Sequence, residues 1–246
     1  MPTITDTITT PDGQCPVTFV TPEGDGPWPA VLMYPDAAGR RPVFDEMADK
    51  LAGFGYAVLV PDIYYRSGDW APFDINTAFG DPEERKRLMS MMGGITPDKM
   101  ASDAAAFFDY LASRPEVSGT TFGTTGYCMG GRASLVVAGR VPDRVAAAMS
   151  FHGGGLATDD PGSPHLLADK MRAAVYVAGA ENDASFTPEA AETLDKALTA
   201  ADVEHTIETY PAAHGFAVAD HGAVYDPAAA QRHWNAMETF FGDHLG

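Results

Sequence analysis

The sequence predicts an α/β protein: a mainly parallel sheet with helices on both faces and a β-hairpin at its N-terminus. Three observations carry this. Short apolar or β-branched runs alternate with helical patterns along most of the chain. The first 20 residues instead hold two β-rich runs separated by a tight turn. No internal repeat and no low-complexity linker divides the chain, so residues 1–246 read as one domain.

The elements follow in order. "TITDTITT" and "QCPVTFVT" are rich in β-branched residues, and "PDG" between them supplies the hairpin turn. "PAVLMYPD" (29–36) is a short apolar strand stopped by Pro35. "RPVFDEMADKLAGFG" (41–55) places Val43, Met47 and Leu51 four apart, which is helical spacing, and ends at glycines. "YAVLVPD" (56–62) is again a strand, and residues 63–80 are irregular and aromatic-rich. A charged helix, "DPEERKRLMSMM", comes next. In "TPDKMASDAAAFFDYLASRP", Thr96 caps a helix, Pro97 takes its first position and Pro115 stops it. A strand then leads into Cys128, followed by a helix over about 130–140 and the strand "RVAAAMSFHG". "AAVYVAGAEND" is a strand, "TPEAAETLDKALTAA" a helix, "VEHTIETYP" the last strand and "DPAAAQRHWNAMETFFGDHL" a closing helix. In such sheets reactive groups belong at the carboxyl ends of the strands.

Composition bounds the function. The formal net charge of −18 repels phosphates, which argues against nucleic acid or an anionic membrane as partner. Two cysteines, Cys15 and Cys128, imply no disulfide framework and favour a reducing compartment. The N-terminus lacks a basic segment followed by an apolar run, and no stretch approaches a transmembrane span. The expectation is a soluble, cytoplasmic protein. No CxxC, HExxH or EF-hand spacing occurs, so neither metal nor cofactor is expected.

The chemistry centres on "GYCMGG" (126–131), which has the glycine spacing of a nucleophile elbow at an expected strand-to-helix junction. Flanking glycines let strand and helix approach, and a helix N-terminus favours a thiolate through its free N–H groups and dipole. The amide of Met129, one residue on, would face an oxyanion. The alternative is a small packed cysteine in a tight turn. Asp183 in "AGAENDASFTP" and His214 in "YPAAHGFAV" each follow an expected strand. Nucleophile, acid, histidine is the chain order of the α/β-hydrolases. Imidazole would take and return a proton, and a buried carboxylate would fix its tautomer. Asp183 could instead cap the next helix, with Glu181 as a nearby competitor, and His214 is one of seven histidines.

With these segments, and with "YPDAAGRRPVFDEMADKLAGFGYAVLVPDIYYR", "ENDASFTPE" and "YPAAHGFA", the chain resembles the dienelactone hydrolase family from about residue 15 to its C-terminus. The family is a branch of the α/β-hydrolases that uses cysteine. The resemblance implies Cys128 as nucleophile, His214 as base and Asp183 as its partner. It also implies the Ala37 amide as second oxyanion donor and an acidic residue after the strand at 29–36. Relatives have a glutamate there that holds the resting thiol. Asp36 stands in its place, one methylene shorter, and could equally be a turn residue after Pro35. Arg87 aligns with a substrate-binding arginine and, with Tyr127, is a candidate substrate contact. Val218 replaces a second such arginine and Met91 a tyrosine, so the resemblance carries the reaction class rather than dienelactone itself.

"FHGGG" (151–155) resembles a lipase oxyanion loop but follows the nucleophile instead of preceding it, so it reads as the loop after the sixth strand, able to line the site, with no role assigned to His152. Glycines 123, 126, 130 and 131 lack the Lys-Ser or Lys-Thr of a phosphate loop. The expected function is a hydrolase of esters or lactones of a small carbonyl substrate. A non-catalytic small-molecule binding protein that keeps the fold is the alternative.

Overall fold

The computed structural model describes residues 1–245 and places eight strands in one sheet of order β1-β2-β4-β3-β5-β6-β7-β8. Strands β1 (Thr3–Thr10) and β2 (Gly13–Val20) form the expected hairpin, and β2 joins β4 (Ala57–Pro61) antiparallel. From β4 onward every pair is parallel, through β3 (Ala30–Tyr34), β5 (Phe122–Tyr127), β6 (Val145–Phe151), β7 (Ala174–Ala180) and β8 (His205–Tyr210). Every residue of β3, β4, β5 and β7 is buried, which is why these runs carry almost no polar alternation.

Helices cover both faces. Helix α1 (Pro42–Ala52) and the closing helix α6 (Pro227–His244) pack on one side through Phe44, Leu51, Trp234, Met237 and Phe241. On the other side lie α3 (Pro97–Ser113), α4 (Met129–Arg140) and α5 (Pro188–Ala200), with Phe107, Phe108, Leu135, Val136 and Leu194. Helix α2 (Pro82–Gly93) touches a third, smaller cluster above the strand ends through Leu88. A 3₁₀ stretch over Pro164–Lys170, not anticipated from the sequence, seats Leu167 in the core beside α4.

Two features of this frame build the site. The expected strands stop earlier than their apolar runs suggest, so Asp36 and Asp183 fall in loops just past the ends of β3 and β7. Helices α1, α2, α3, α5 and α6 each begin with proline, which has no N–H to satisfy. Helix α4 begins with neither proline nor a side-chain cap, and its first residue follows Cys128 directly. The N–H groups of Gly131 and Arg132 donate to the Cys128 carbonyl, while among the described residues those of Met129 and Gly130 have no protein acceptor.

Candidate active site

Cys128 lies between β5 and α4 with φ 53° and ψ −116°, a backbone region that costs a non-glycine residue about 1–3 kcal/mol. Packing holds it there. Its N–H donates to the carbonyl of Phe151 at 3.1 Å, and its carbonyl accepts from Gly131 N at 3.0 Å. A Cβ at Gly126 would run into the backbone of Gly130, and one at Gly130 into the carbonyls of Tyr34 and Pro35. The two glycines are thus the condition for the first turn of α4 to sit against the ends of β3 and β5.

His214, in the loop after β8, places Nδ1 2.6 Å from Asp183 Oδ2, in the loop after β7. Asp183 is buried, and its Oδ1 accepts from Ser185 N at 2.8 Å and Ser185 Oγ at 2.6 Å. Burial alone would raise the Asp183 pKa. The hydrogen bonds from His214 and Ser185 outweigh it and hold the carboxyl below its usual range. An ionised carboxylate only accepts, so Nδ1 carries the proton that it receives and Nε2 is the nitrogen left for Cys128. Burial likewise opposes charge on His214, but Asp183 on one side and the Cys128 sulfur on the other push its pKa up to about 10.

The amides of Met129 and Ala37 lie past the ends of the neighbouring strands β5 and β3. Among the described residues neither donates a hydrogen bond to another protein atom. The Ala37 carbonyl accepts from Tyr64 Oη at 2.7 Å, which anchors this loop from the aromatic cluster above it.

The sequence profile of the dienelactone hydrolase family matches residues 16–245. The chain belongs to this family. A protein of Escherichia coli K12 named "Putative carboxymethylenebutenolidase" is 27% identical over 231 residues, spanning 91% of this chain and 80% of that protein. The solved structure of m3DLH superimposes with a TM-score of 0.81 at 27% identity, covering 99% of each chain. A dienelactone hydrolase-like promiscuous phosphotriesterase, P91, from metagenomic libraries, reaches 0.78 at 25% identity over 100% of both chains. The fold is thus the α/β-hydrolase fold, and the protein is a hydrolase of the ester- and lactone-cleaving type.

Against this dienelactone hydrolase framework the remaining expected site residues fall differently. Asp36 is buried and makes a two-pronged ion pair with Arg41: Nη1 to Oδ1 at 2.7 Å and Nη2 to Oδ2 at 2.9 Å. Its Oδ1 also accepts from Ala38 N at 2.9 Å. The structure therefore brings Asp36 to Arg41, and none of its hydrogen bonds reaches Cys128. Arg87 donates to both oxygens of Glu84 and to the Ala71 carbonyl, and lies 3.7 Å over the Phe73 ring. Tyr127 is fully buried on the α6 side of the sheet, with its hydroxyl 2.9 Å from His233 Nε2, so its side chain points away from the elbow.

Ser185 and Arg41 escaped the sequence reading, and His152 was given no role in it. Ser185 bridges the acid and the histidine, its Oγ 3.2 Å from His214 Nδ1; the signal was its place two residues after Asp183, the spacing of an Asx turn. Arg41 links Asp36 to Asp220, with Nε to Oδ2 at 2.6 Å and Nη2 to Oδ1 at 2.8 Å, and no local pattern points to a partner 179 residues away. His152 is buried with φ 39°, and its ring sits edge-on to His214 at 5.2 Å. Both its nitrogens lack a protein partner, and burial, with the charge of His214, holds it neutral far below the usual histidine range.

Proposed function

We propose that this hydrolase cleaves esters or lactones of a small carbonyl substrate through a Cys128 acyl-enzyme. The Cys128 sulfur attacks the carbonyl carbon as its proton passes to His214 Nε2, and the carbonyl π pair moves onto oxygen. The amides of Met129 and Ala37 receive that oxyanion, each such donor being worth roughly 2.7–4 kcal/mol. Collapse of the intermediate breaks the bond to the leaving oxygen, which takes the proton from His214 Nε2. Water then attacks the thioester, gives its proton to His214, and the acid departs as the sulfur is released. Asp183 stays ionised throughout, orienting the ring and balancing its charge.

The observation that supports this most is the 2.6 Å Asp183–His214 pair in loops beside a cysteine held at positive φ on a strand-to-helix turn. Such a backbone conformation at a residue with a side chain is the kind of stored strain that collects at reactive sites. The test sets the parent beside Cys128→Ala on p-nitrophenyl esters and simple lactones. The parent should turn over, and stop when iodoacetamide has reacted with one thiol; Cys128→Ala should fall by about 10³-fold or more in kcat. Equal rates in the two proteins, or none in the parent, would sink the mechanism and leave the non-catalytic alternative.

A further inference from the structure

Resting on that hydrolase reading, we infer that the site is built for uncharged substrates whose acyl or ring portion is apolar. A carboxylate on that portion is selected against.

The wall above the nucleophile carries the first half of the argument. Cys128 and Met129 pack against a cluster built on Tyr64, Phe73, Ile75 and Leu88, with Trp70 on its flank. The three rings contact one another at 5.3, 5.9 and 6.3 Å, two of the pairs edge to face. Their polar tips are already used: Tyr64 Oη donates to the Ala37 carbonyl and Trp70 Nε1 to Asp62 at 3.1 Å. What the cluster has left to offer is carbon. Behind Met129 a cavity of about 20 Å³, room for about one water, shares Ile63 and Ile95 with that wall and adds Met100 and Phe107. It also meets Asp103 and the unpartnered Tyr34 hydroxyl, so the apolar surface offered to an acyl chain is that of the wall itself.

The second half is electrostatic. The guanidinium of Arg41 lies between Asp36 and Asp220 with four contacts of 2.9 Å or less. Those of Arg87 and Arg66 are held by Glu84 and by Asp12 with Asp103. Lys99, at the outer edge of the wall, donates to the Gly94 carbonyl. The Asp36–Arg41–Asp220 group sums to one negative charge, and the whole chain carries −18. A substrate carboxylate would shed water without gaining a free guanidinium from Arg41, Arg66 or Arg87. His214 is already paired with Asp183, and of these cations only the Lys99 ammonium, on the Gly94 carbonyl, lacks a carboxylate. The chain as a whole carries the substrate carboxylate's own sign. A methyl in place of that carboxylate would gain by burial.

A matched pair of substrates tests this on the parent enzyme: p-nitrophenyl butyrate and the mono-p-nitrophenyl ester of succinic acid, in which a carboxylate replaces the terminal methyl. Cys128→Ala serves as background. At low salt kcat/KM should favour butyrate by at least about thirtyfold, and the gap should narrow without closing in about 0.5 M NaCl. From acetate through butyrate to hexanoate kcat/KM should climb about two- to fourfold per methylene. A succinate ester cleaved as fast as butyrate, or a flat chain-length series, overturns the inference and leaves the hydrolase reading standing. Failure of every ester overturns both.

Discussion

At the scale of single residues, Cys128 carries a backbone strain that the proposed reaction would account for. Its φ of 53° with ψ −116° is a conformation that glycine adopts freely and cysteine does not. Cys128→Gly should therefore raise stability while abolishing turnover. Relief of about 1–3 kcal/mol of strain, less the added freedom of the unfolded chain, leaves a net gain of about 1 kcal/mol. Thermal unfolding should report this as a Tm about 2–4 °C higher. An unchanged or lower Tm would mean that the turn is not strained. The residue types at this scale were legible in advance, because chemistry restricts them: a thiol between glycines, then a carboxylate and an imidazole in hydrolase order. Their partners were not. Ser185 Oγ could be matched to Asp183 from sequence spacing, but its contact with His214 needs β7 and β8 side by side.

At the scale of elements, Arg41 ties together two loops that the proposed chemistry needs in register. One follows β3 and carries Asp36 and the Ala37 amide; the other follows β8 and carries His214 and Asp220. Removing the guanidinium strands a buried carboxylate at Asp36, whereas Asp220, with 39% of its side chain exposed, can turn to water. Arg41→Met should cost about 3–5 kcal/mol in urea unfolding, and Asp220→Asn under about 1 kcal/mol. Both should lower kcat more than they raise KM, because each loosens the loop of Ala37, the proposed oxyanion donor, relative to His214. Equal stability costs for the two variants would show that the Asp36 pair is not the one that matters. The elements themselves were readable from their punctuation: proline and cap residues at helix starts, and glycine at the end of the first helix. Their ends were less so, since an apolar run such as "AAVYVAGA" does not say where its last ladder bond falls.

At the scale of the whole molecule, buried neutral histidines link stability to acid. His233 is fully buried, with Nδ1 3.2 Å from the Ala230 carbonyl and Nε2 2.9 Å from Tyr127 Oη. Its neutral form donates once and accepts once, and burial drives its pKa from 6.5 down to about 3. Between those values the unfolded chain binds the extra proton, so stability is complete above pH 6.5 and is lost as pH falls toward 3. His152 acts in the same sense. His214 acts in the opposite one: its raised pKa adds stability below pH 6.5 that is lost as pH climbs toward 10. Urea midpoints should fall from pH 7 to 5, and His233→Phe should flatten that slope by up to about 1.4 kcal/mol per pH unit while lowering stability at pH 7. An unchanged slope would place the acid sensitivity elsewhere. The sequence by itself determined the layered α/β architecture and the family, and it singled out Cys128, Asp183 and His214 as the candidates for nucleophile, acid and base. Hydrophobic period, turn residues and reactive side chains are local properties, and they survive in a one-dimensional record. Only the tertiary structure decided that Asp36 belongs to Arg41 and Asp220, that Arg87 is held by Glu84, and that Tyr127 faces the core. A charged side chain takes whichever partner the fold brings within about 3 Å, and a strand residue's face depends on register. Neither distance nor register is written in any short stretch of sequence.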